Sequence, residues 1–517
     1  MRERPVRSRP SVLDGTILVI LMACGIGAWL IRPEAFIADD SYFYLVIARN
    51  LALNGEQTFT RLFPTTGVHP LWCYLLAVHD ALVSHLNPAL LWNIRTAIPL
   101  SVLLLACGMR NFKRVAETLR ISTPALVGIP LVFLLVNMNL CSEAVLHYAA
   151  LSVLTLIFVN GTTQKRWGWL VAGIACAMVF LARLDSVFFV AGSLFLFMRR
   201  SGGIPALIKA AAVFAVLVIP YLAANWLYFG GVVPVSGWMK SSFPSVSLKG
   251  LNLDQGLYAS MLFGYRIVWG ILPIVIASTA LLMRRKSPAR NRDLLRLYLF
   301  GSVLHFAYVA LFVRSHSIWA WYYVVPAVLL ALTVATWLPP GRIWRAALAG
   351  ALVVAAAIIL AKAVRPGSAD AALWFPQIEG TRYLRENRIE GKTILVSDWP
   401  GYLAFQTDNR IVAADMLTAN VPLYNRMRHA PDALHFLVAY CAELGRPIEY
   451  VIYAGNQWLV PDADFTSITY NDPRSYPRLV PIGRLEFPAP PVYTSGNRGF
   501  IIWELPPRGR STTDRSP

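Results

Sequence analysis

Charge is scarce in this chain of 517 residues: Asp, Glu, Lys and Arg make up only 15% of it, while 56% is hydrophobic. Soluble domains carry roughly 25% charged residues and about 45–50% apolar ones. With a mean hydropathy of +0.52, the composition excludes a soluble enzyme, a disordered protein and a collagen-like chain. Acidic residues are the scarcer kind, 28 against 47 basic, for a net charge of +19. From about Arg365 onward the two signs are roughly balanced, so the excess lies among the apolar segments. That is the pattern of cytoplasmic membrane loops and not of a DNA-binding face, and no nucleic-acid partner is expected. Cysteine is scarce too. Of six, Cys24, Cys73, Cys107, Cys141 and Cys176 fall in or beside apolar segments, and only Cys441 lies in the polar C-terminal part. A disulfide framework there is impossible, and no CxxC spacing offers a metal site. No short-period repeat is present.

What the chain has is apolar runs. About 20 such residues cross a bilayer core. By that length rule about eleven spans are expected, at roughly 13–32, 88–109, 121–139, 142–160, 167–183, 186–198, 204–229, 257–283, 297–313, 319–337 and 346–363. The N-terminal run resembles a signal peptide, with a lipoprotein-like Leu21-Met22-Ala23-Cys24, but a retained first span fits the topology better. Basic clusters at Arg2–Arg9, Arg110–Arg120, Lys165/Arg166, Arg199/Arg200, Arg284–Arg292 and Arg342/Arg345 all fall on one side. That side is cytoplasmic by the positive-inside rule. The N-terminus is then inside, and with an odd number of spans the C-terminal part lies outside.

A long first outer loop covers 33–87. Within it 41–53 and 69–85 read as interfacial helices, the first with Tyr and Phe at the headgroup level. From about Val364 the pattern alternates: a helix near 377–387, strands at 393–397 and 411–414, a helix near 431–444, and strands near 450–453, 479–487 and 499–504. The domains expected are a membrane domain over 1–363, a soluble α/β domain over 364–505 outside the membrane, and a disordered tail over 506–517.

Ionisable residues at membrane depth are costly and mark function by default. Asp39, Asp40, His69, Arg95, Glu143, Arg183, Asp185, Lys240, Arg314 and His316 all sit near the outer face of this topology. Acidic and basic groups together suit a reaction in which a hydroxyl loses a proton as an anionic group departs. Each has a plainer reading. Asp-Asp-Ser before a helix is also an N-cap, the cations anchor headgroups by snorkelling, and His69 before Pro70 satisfies backbone groups. Arg183 and Asp185 are too close in sequence to pair within a regular helix. The aromatic set Trp319, Trp321, Tyr322 and Tyr323 stacks on sugars or forms an interfacial belt. His79 and His85 read as structural.

The stretch Asp39-Asp40-Ser41-Tyr42-Phe43-Tyr44 through Arg49-Asn50, followed by Gly55 and Thr65-Thr66-Gly67-Val68-His69-Pro70-Leu71-Trp72, resembles the first outer loop of GT-C-fold glycosyltransferases. The branch it is most similar to holds arabinofuranosyltransferase-like and protein-mannosyltransferase-like bacterial enzymes. Further matches follow in order: Cys141-Ser142-Glu143-Ala144, which departs from that branch at all but the Glu, Arg183-Leu184-Asp185, Asn225 through Phe229-Gly230 to Lys240, and Trp321-Tyr322-Tyr323. Asp398-Trp399-Pro400-Gly401-Tyr402 and Asp415-Met416-Leu417-Thr418 resemble elements of the soluble domain.

The resemblance implies an all-α polytopic GT-C membrane domain with a C-terminal α/β domain, in the bacterial plasma membrane. The activity implied is transfer of a sugar from a polyprenyl-phosphate donor to a hydroxyl of a glycan, lipid or protein acceptor, with inversion. It places the catalytic base in the pair Asp39 and Asp40, without deciding between them. His69, Arg95, Glu143, Arg183, Asp185, Asn225, Lys240, Arg314, His316, Tyr322 and Tyr323 are the substrate-binding candidates. No cofactor or metal is implied, though the sequence leaves a divalent ion open. A transporter or lipid-linked-sugar flippase is the alternative; the paired broken helices that mark transporters are not apparent in the sequence.

Overall fold

The computed structural model describes residues 33–137, 140–201, 203–246, 266–283, 288–313, 320–337, 369–397, 399–453, 459–470, 484–494 and 500–506, and scattered positions in 23–31 and 350–361. The expected first and last spans fall largely outside these residues, as do Arg314, His316 and Asp398.

The chain opens with α1 (Asp39–Asn54) and α2 (Pro70–Leu86), then two 3-10 turns between Pro88 and Thr96. The helical bundle follows: α3 (Ile98–Leu119), α4 (Thr123–Val136), α5 (Glu143–Val159), α6 (Gly168–Ala182), α7 (Val187–Arg200), α8 (Ile204–Phe229), the short α9 (Val235–Lys240), α10 (Leu272–Met283), α11 (Ala289–Phe312) and α12 (Val324–Trp337). Proline in the first turn of α2, α3, α4 and α8 sets their entries, where its missing N–H is harmless. Gly55 and Gly230, both in the left-handed region, close α1 and α8.

Three of the described helices are long and apolar enough to cross a membrane: Ile204–Phe229, Ala289–Phe312 and Ala320–Trp337 taken with its 3-10 turn. Thr123–Val136, Glu143–Val159, Gly168–Ala182 and Ile267–Met283 are apolar but shorter. The segment expected over 88–109 is displaced. Asn87 and Asn93 accept from the backbone N–H groups of Ala89 and Arg95, which holds 88–96 in 3-10 turns, and the helix runs on through the basic cluster to Leu119.

Among the described residues, the basic side chains of the loops between consecutive bundle helices, Arg120, Lys165, Arg166, Arg199 and Arg200, gather at one end of the bundle. Arg200 at the end of α7 donates to Asp293 near the start of α11 at 2.6 Å. Ser122 N–H, entering α4, meets the carbonyl of Ala335 at the end of α12.

The C-terminal part is α/β, as the alternating pattern indicates. It comprises α13 (Ala369–Glu386), β1 (Thr393–Val396), α14 (Pro400–Gln406), β2 (Arg410–Ala413), α15 (Val421–Arg428), α16 (Ala433–Glu443), β3 (Tyr450–Tyr453), β4 (Leu459–Pro461), β5 (Ser467–Tyr470), β6 (Arg484–Glu486), β7 (Tyr493–Thr494) and β8 (Ile501–Glu504). Strands in the order β2-β1-β3-β8-β7 form one sheet, and β4-β5-β6 a second, antiparallel one. Strands β2, β1 and β3 run parallel, with Ile394 between Ile411 and Tyr450. Ligands gather at the carboxyl ends of such strands, and here those ends face the bundle.

Helix α1, expected to be interfacial, is enclosed by protein along most of its length. Tyr42 through Ala48 are buried without a break, because α1 is covered both by the bundle side and by α14 of the C-terminal domain. Tyr42 packs edge-on against Tyr402 at 5.4 Å and against Phe405 at 5.6 Å.

Candidate active site

The adjacent aspartates at the start of α1 have different surroundings. Asp39 is buried, and its two oxygens accept the N–H groups of Gly401 and Tyr402, each at 2.9 Å. These are the first-turn donors that a helix leaves unsatisfied, so Asp39 caps α14 from outside its own segment. A Cβ at Gly401 would stand 2.9 Å from Asp39 Oδ1, so only glycine lets the helix end come this close. At the other end, Arg49 donates to the carbonyls of Ala404 and Phe405 at 3.3 and 3.2 Å. The Arg49 cation at the C-terminus of α14 also complements its dipole. Asp39 and Arg49, ten residues and so about 15 Å apart on α1, clamp the seven-residue helix between them.

Asp40 points elsewhere. No hydrogen bond within the described residues engages its carboxylate, which is half-buried among other charged groups. Burial raises its pKa above the ordinary carboxylate value, and the charges of Lys240 and Arg183 pull it back down. Asp39 is pushed up to about 8 by burial, against the two backbone N–H groups and with help from Asp40 and Asp415.

Arg183 is fully enclosed. Its Nη1 donates to Glu143 Oε1 at 2.8 Å and to the Trp321 carbonyl at 3.1 Å. Its Nε and Nη2 grip Asp185 at 3.0 and 2.9 Å, and its guanidinium lies 4.5 Å from the Tyr322 ring centre. The pairing of Arg183 with Asp185 corrects the expectation that they stay apart. Arg183 leaves α6 with extended dihedrals, φ −151° and ψ 114°, and Asp185 sits in a 3-10 turn, so no regular helix separates their side chains. His305 on α11 adds a contact of 3.3 Å to Asp185. Burial works to raise the Asp185 pKa, but Arg183 and His305 outweigh it and hold the carboxyl well below its ordinary value.

Lys240, at the end of α9, is buried, and its Nζ lies 6.0 Å from the Tyr322 ring centre. Burial opposes its charge, but Tyr322 and Asp40 outweigh that and raise its pKa. Unlike Arg183, it has no carboxylate within ion-pair distance among the described residues. His69 stands at the N-cap position of α2, but its side chain turns to the site and accepts the Leu184 N–H on Nδ1 at 3.2 Å. Burial and the Arg183 and Lys240 charges push its pKa down to about 3. It is therefore neutral with its proton on Nε2, a hydrogen-bond donor and not a base. Tyr44 OH accepts the His69 backbone N–H at 3.1 Å.

Two groups at this site are not among the catalytic or substrate-binding candidates. His305 is one. The other is Asp415, noted in sequence only as part of a soluble-domain motif, which follows β2 and reaches the site from the C-terminal domain. Its Oδ1 accepts the Leu417 N–H at 3.0 Å, and burial raises its pKa to about 6, with Asp40 adding to the rise and Lys240 opposing it. A carboxylate just past the end of a parallel strand is the available signal.

Other candidates lie apart. Arg95 is exposed, its Nε 3.3 Å from the Leu30 carbonyl. Asn225 is buried in α8 and donates to the Val232 carbonyl at 3.4 Å, pinning the turn after the helix. Tyr323 turns away from Tyr322 into the core beside Gly270. His79 bridges Asp80 and the Thr96 carbonyl at 2.9 and 3.1 Å, a structural role as expected. Among the described residues no cluster of His, Cys, Asp and Glu is arranged to hold a metal ion.

No family model matches the chain, and no curated protein matches it. Among solved structures it is similar to ArnT from Cupriavidus metallidurans, determined bound to undecaprenyl phosphate, at 17% identity and a TM-score of 0.42 over 84% of this chain and 85% of that one. It is also similar to the arabinofuranosyltransferase AftD from Mycobacteria, at 16% identity and a TM-score of 0.40. The match to AftD takes in 95% of this chain but 40% of AftD.

Proposed function

We propose that the protein is a membrane glycosyltransferase that moves a sugar from a polyprenyl-phosphate donor to an acceptor hydroxyl, with Asp40 as the base. The observation that carries this reading is the difference between the two aspartates: Asp39 is bound to the end of α14, while Asp40 faces Lys240 without a hydrogen-bond partner among the described residues.

The chemistry follows from that pairing. Asp40 takes the proton of the acceptor hydroxyl as its oxygen bonds to the anomeric carbon. The bond from that carbon to the phosphate oxygen breaks, and the phosphate leaves with the electron pair. Lys240, the cation not paired with a carboxylate, meets the departing charge as a point charge. Arg183 is held by Glu143 and Asp185 and builds the floor of the site instead of binding phosphate. His69 Nε2–H and Tyr322 are placed to hold the sugar. Direct displacement inverts the anomeric centre. The carboxyl-terminal edge of the soluble sheet closes over this site, which fits a reaction on the outer face of the plasma membrane, opposite the basic end of the bundle.

The test is consumption of labelled polyprenyl-phosphate sugars by the protein reconstituted in lipid. The expected result is release of polyprenyl phosphate and a product of inverted configuration, read by NMR. A labelled lipid-linked sugar that crosses the bilayer intact, with none consumed, would establish the flippase reading in its place.

A further inference from the structure

A cavity of about 380 Å³ lies where the end of α8 meets the C-terminal domain, at some remove from the aspartates. That volume is within the usual range for small-molecule sites. Tyr228 and Phe229 form its bundle side, and Pro422, Arg426 and Tyr440 its other side. The Arg426 guanidinium lies 5.0 Å from the Tyr440 ring centre, and Tyr440 is stacked on Phe436 at 5.8 Å with 10° between the rings. Tyr228 is 78% exposed, so its ring is open to the cavity mouth.

This cavity is joined to the active site by two chain segments running side by side in opposite directions. Thr66 N–H donates to the Ala419 carbonyl at 3.1 Å, and Asn420 Nδ2 to the Pro64 carbonyl at 3.1 Å. Beyond them, toward Asp415, the Leu417 carbonyl closes on Gly67, where a Cβ would overlap it. One end of the pair carries His69 and Asp415. The other carries Pro64 and Asn420, both in the cavity wall. Asp415 and Asn420 are five positions apart in the chain, so their Cα atoms are at most about 18 Å apart.

Aromatic rings beside a guanidinium and phenolic hydroxyls are what a hydroxyl-rich ring ligand needs: C–H faces stack on the rings, and hydroxyls bond the polar atoms. A polyprenyl chain would gain nothing from Arg426, and Asn420, Pro422, Leu423, Arg426 and Tyr440 of the wall belong to the C-terminal domain. We infer that the cavity is a saccharide subsite, holding the sugar units of a glycan acceptor while its reacting hydroxyl sits at Asp40. This rests on the glycosyltransferase reading above.

The experiment uses the full chain in lipid nanodiscs with Tyr228→Cys, and follows maleimide alkylation at that position by mass spectrometry. The probes are maltotriose, mannotriose, arabinotriose and undecaprenyl phosphate. At least one trisaccharide is expected to slow alkylation fivefold or more, and the protection is expected to vanish with Arg426→Gln and with Tyr440→Ala. Arg426 is exposed, so its replacement spares the fold. Lack of protection by every trisaccharide, or protection that survives both substitutions, overturns the subsite. Protection by undecaprenyl phosphate alone assigns the cavity to lipid and overturns it too. Donor consumption by the unsubstituted protein is measured alongside. Donor consumed without saccharide protection refutes the subsite only, whereas failure of both refutes the enzyme reading with it.

Discussion

Lys240 and Asp40 depend on each other. The Lys240 charge lowers the Asp40 pKa, so Lys240→Met is expected to move the acid limb of the pH–rate profile to higher pH. It is also expected to cost about 10²–10³-fold in turnover, the usual loss for one electrostatic stabiliser of a leaving charge. A pH series of donor consumption checks both, and an unmoved acid limb would separate the two residues. Asp39 makes a prediction of another kind. Its pKa in the folded chain is about 8, above the ordinary 3.8. The folded state therefore holds this proton more tightly than the unfolded one. Its contribution to stability is fully present below about pH 4 and is lost as pH rises to about 8. Thermal denaturation of Asp39→Asn should lack that component, so the difference in Tm from the parent should change across this range. Sequence alone leaves the two aspartates undecided. Their neighbours come from 362 residues away for Asp39 and about 200 away for Asp40, and adjacency carries no information about that. The Arg183–Asp185 pair escapes a sequence reading for a local reason: nothing in Leu-Ala-Arg-Leu-Asp shows the break in helix at Arg183.

At the scale of elements, the arrangement turns on α14. A helix of seven residues is too short to be stable alone, and nothing in PGYLAFQ announces one. It exists because Asp39 and Arg49 close its ends and Tyr42 packs on its side. Gly401→Ala places a methyl group against Asp39 and is expected to destabilise the chain by about 1–3 kcal/mol, as overpacking does. Arg49→Met removes two charged hydrogen bonds at the other end and should cost a similar amount. Denaturation with limited proteolysis of the C-terminal domain checks both; a chain of parental stability in both variants would show that the clamp does not hold. Elements with strong periodic signals are legible. Helix α8 covers the expected residues 204–229 end to end, and β1, β2, β3 and β8 lie where β-branched runs point. The strands β4, β5 and β7 are not, since LVP, SITY and YT hold no continuous apolar run like those of β1 and β8. The burial of α1 is not legible either, because the same aromatic pattern serves a headgroup and a domain interface.

At the scale of the molecule, charge separates the two ends. Arg110, Arg114, Lys165, Arg166, Arg199 and Arg200 mark one end of the bundle, and the acidic and basic site with the C-terminal domain marks the other. Under the proposed function, the positive-inside rule predicts that the domain lies outside. In intact cells an impermeant maleimide should label Glu443→Cys, on the exposed end of α16, and leave Lys165→Cys unlabelled until the membrane is opened. The reverse pattern would place the site in the cytoplasm. The overall division into bundle and α/β domain is legible because hydropathy changes abruptly near 364. What sequence does not show is that the domain completes the site. Asp415 enters from the loop after β2 and the end of α14 holds Asp39, so both parts contribute to the candidate site.

The most direct measurement compares Asp40→Asn with Asp39→Asn in the same reconstituted assay of polyprenyl-phosphate-sugar consumption, with thermal stability recorded for both. Asp40→Asn should keep the parental Tm and lose turnover by at least about 10³-fold, the upper part of what a positioned proton acceptor contributes. Asp39→Asn should melt lower and retain measurable turnover, since the amide oxygen that replaces a carboxylate oxygen still accepts one N–H of α14. Parental rates in Asp40→Asn, or a complete loss confined to Asp39→Asn at unchanged Tm, would contradict the assignment of base and clamp.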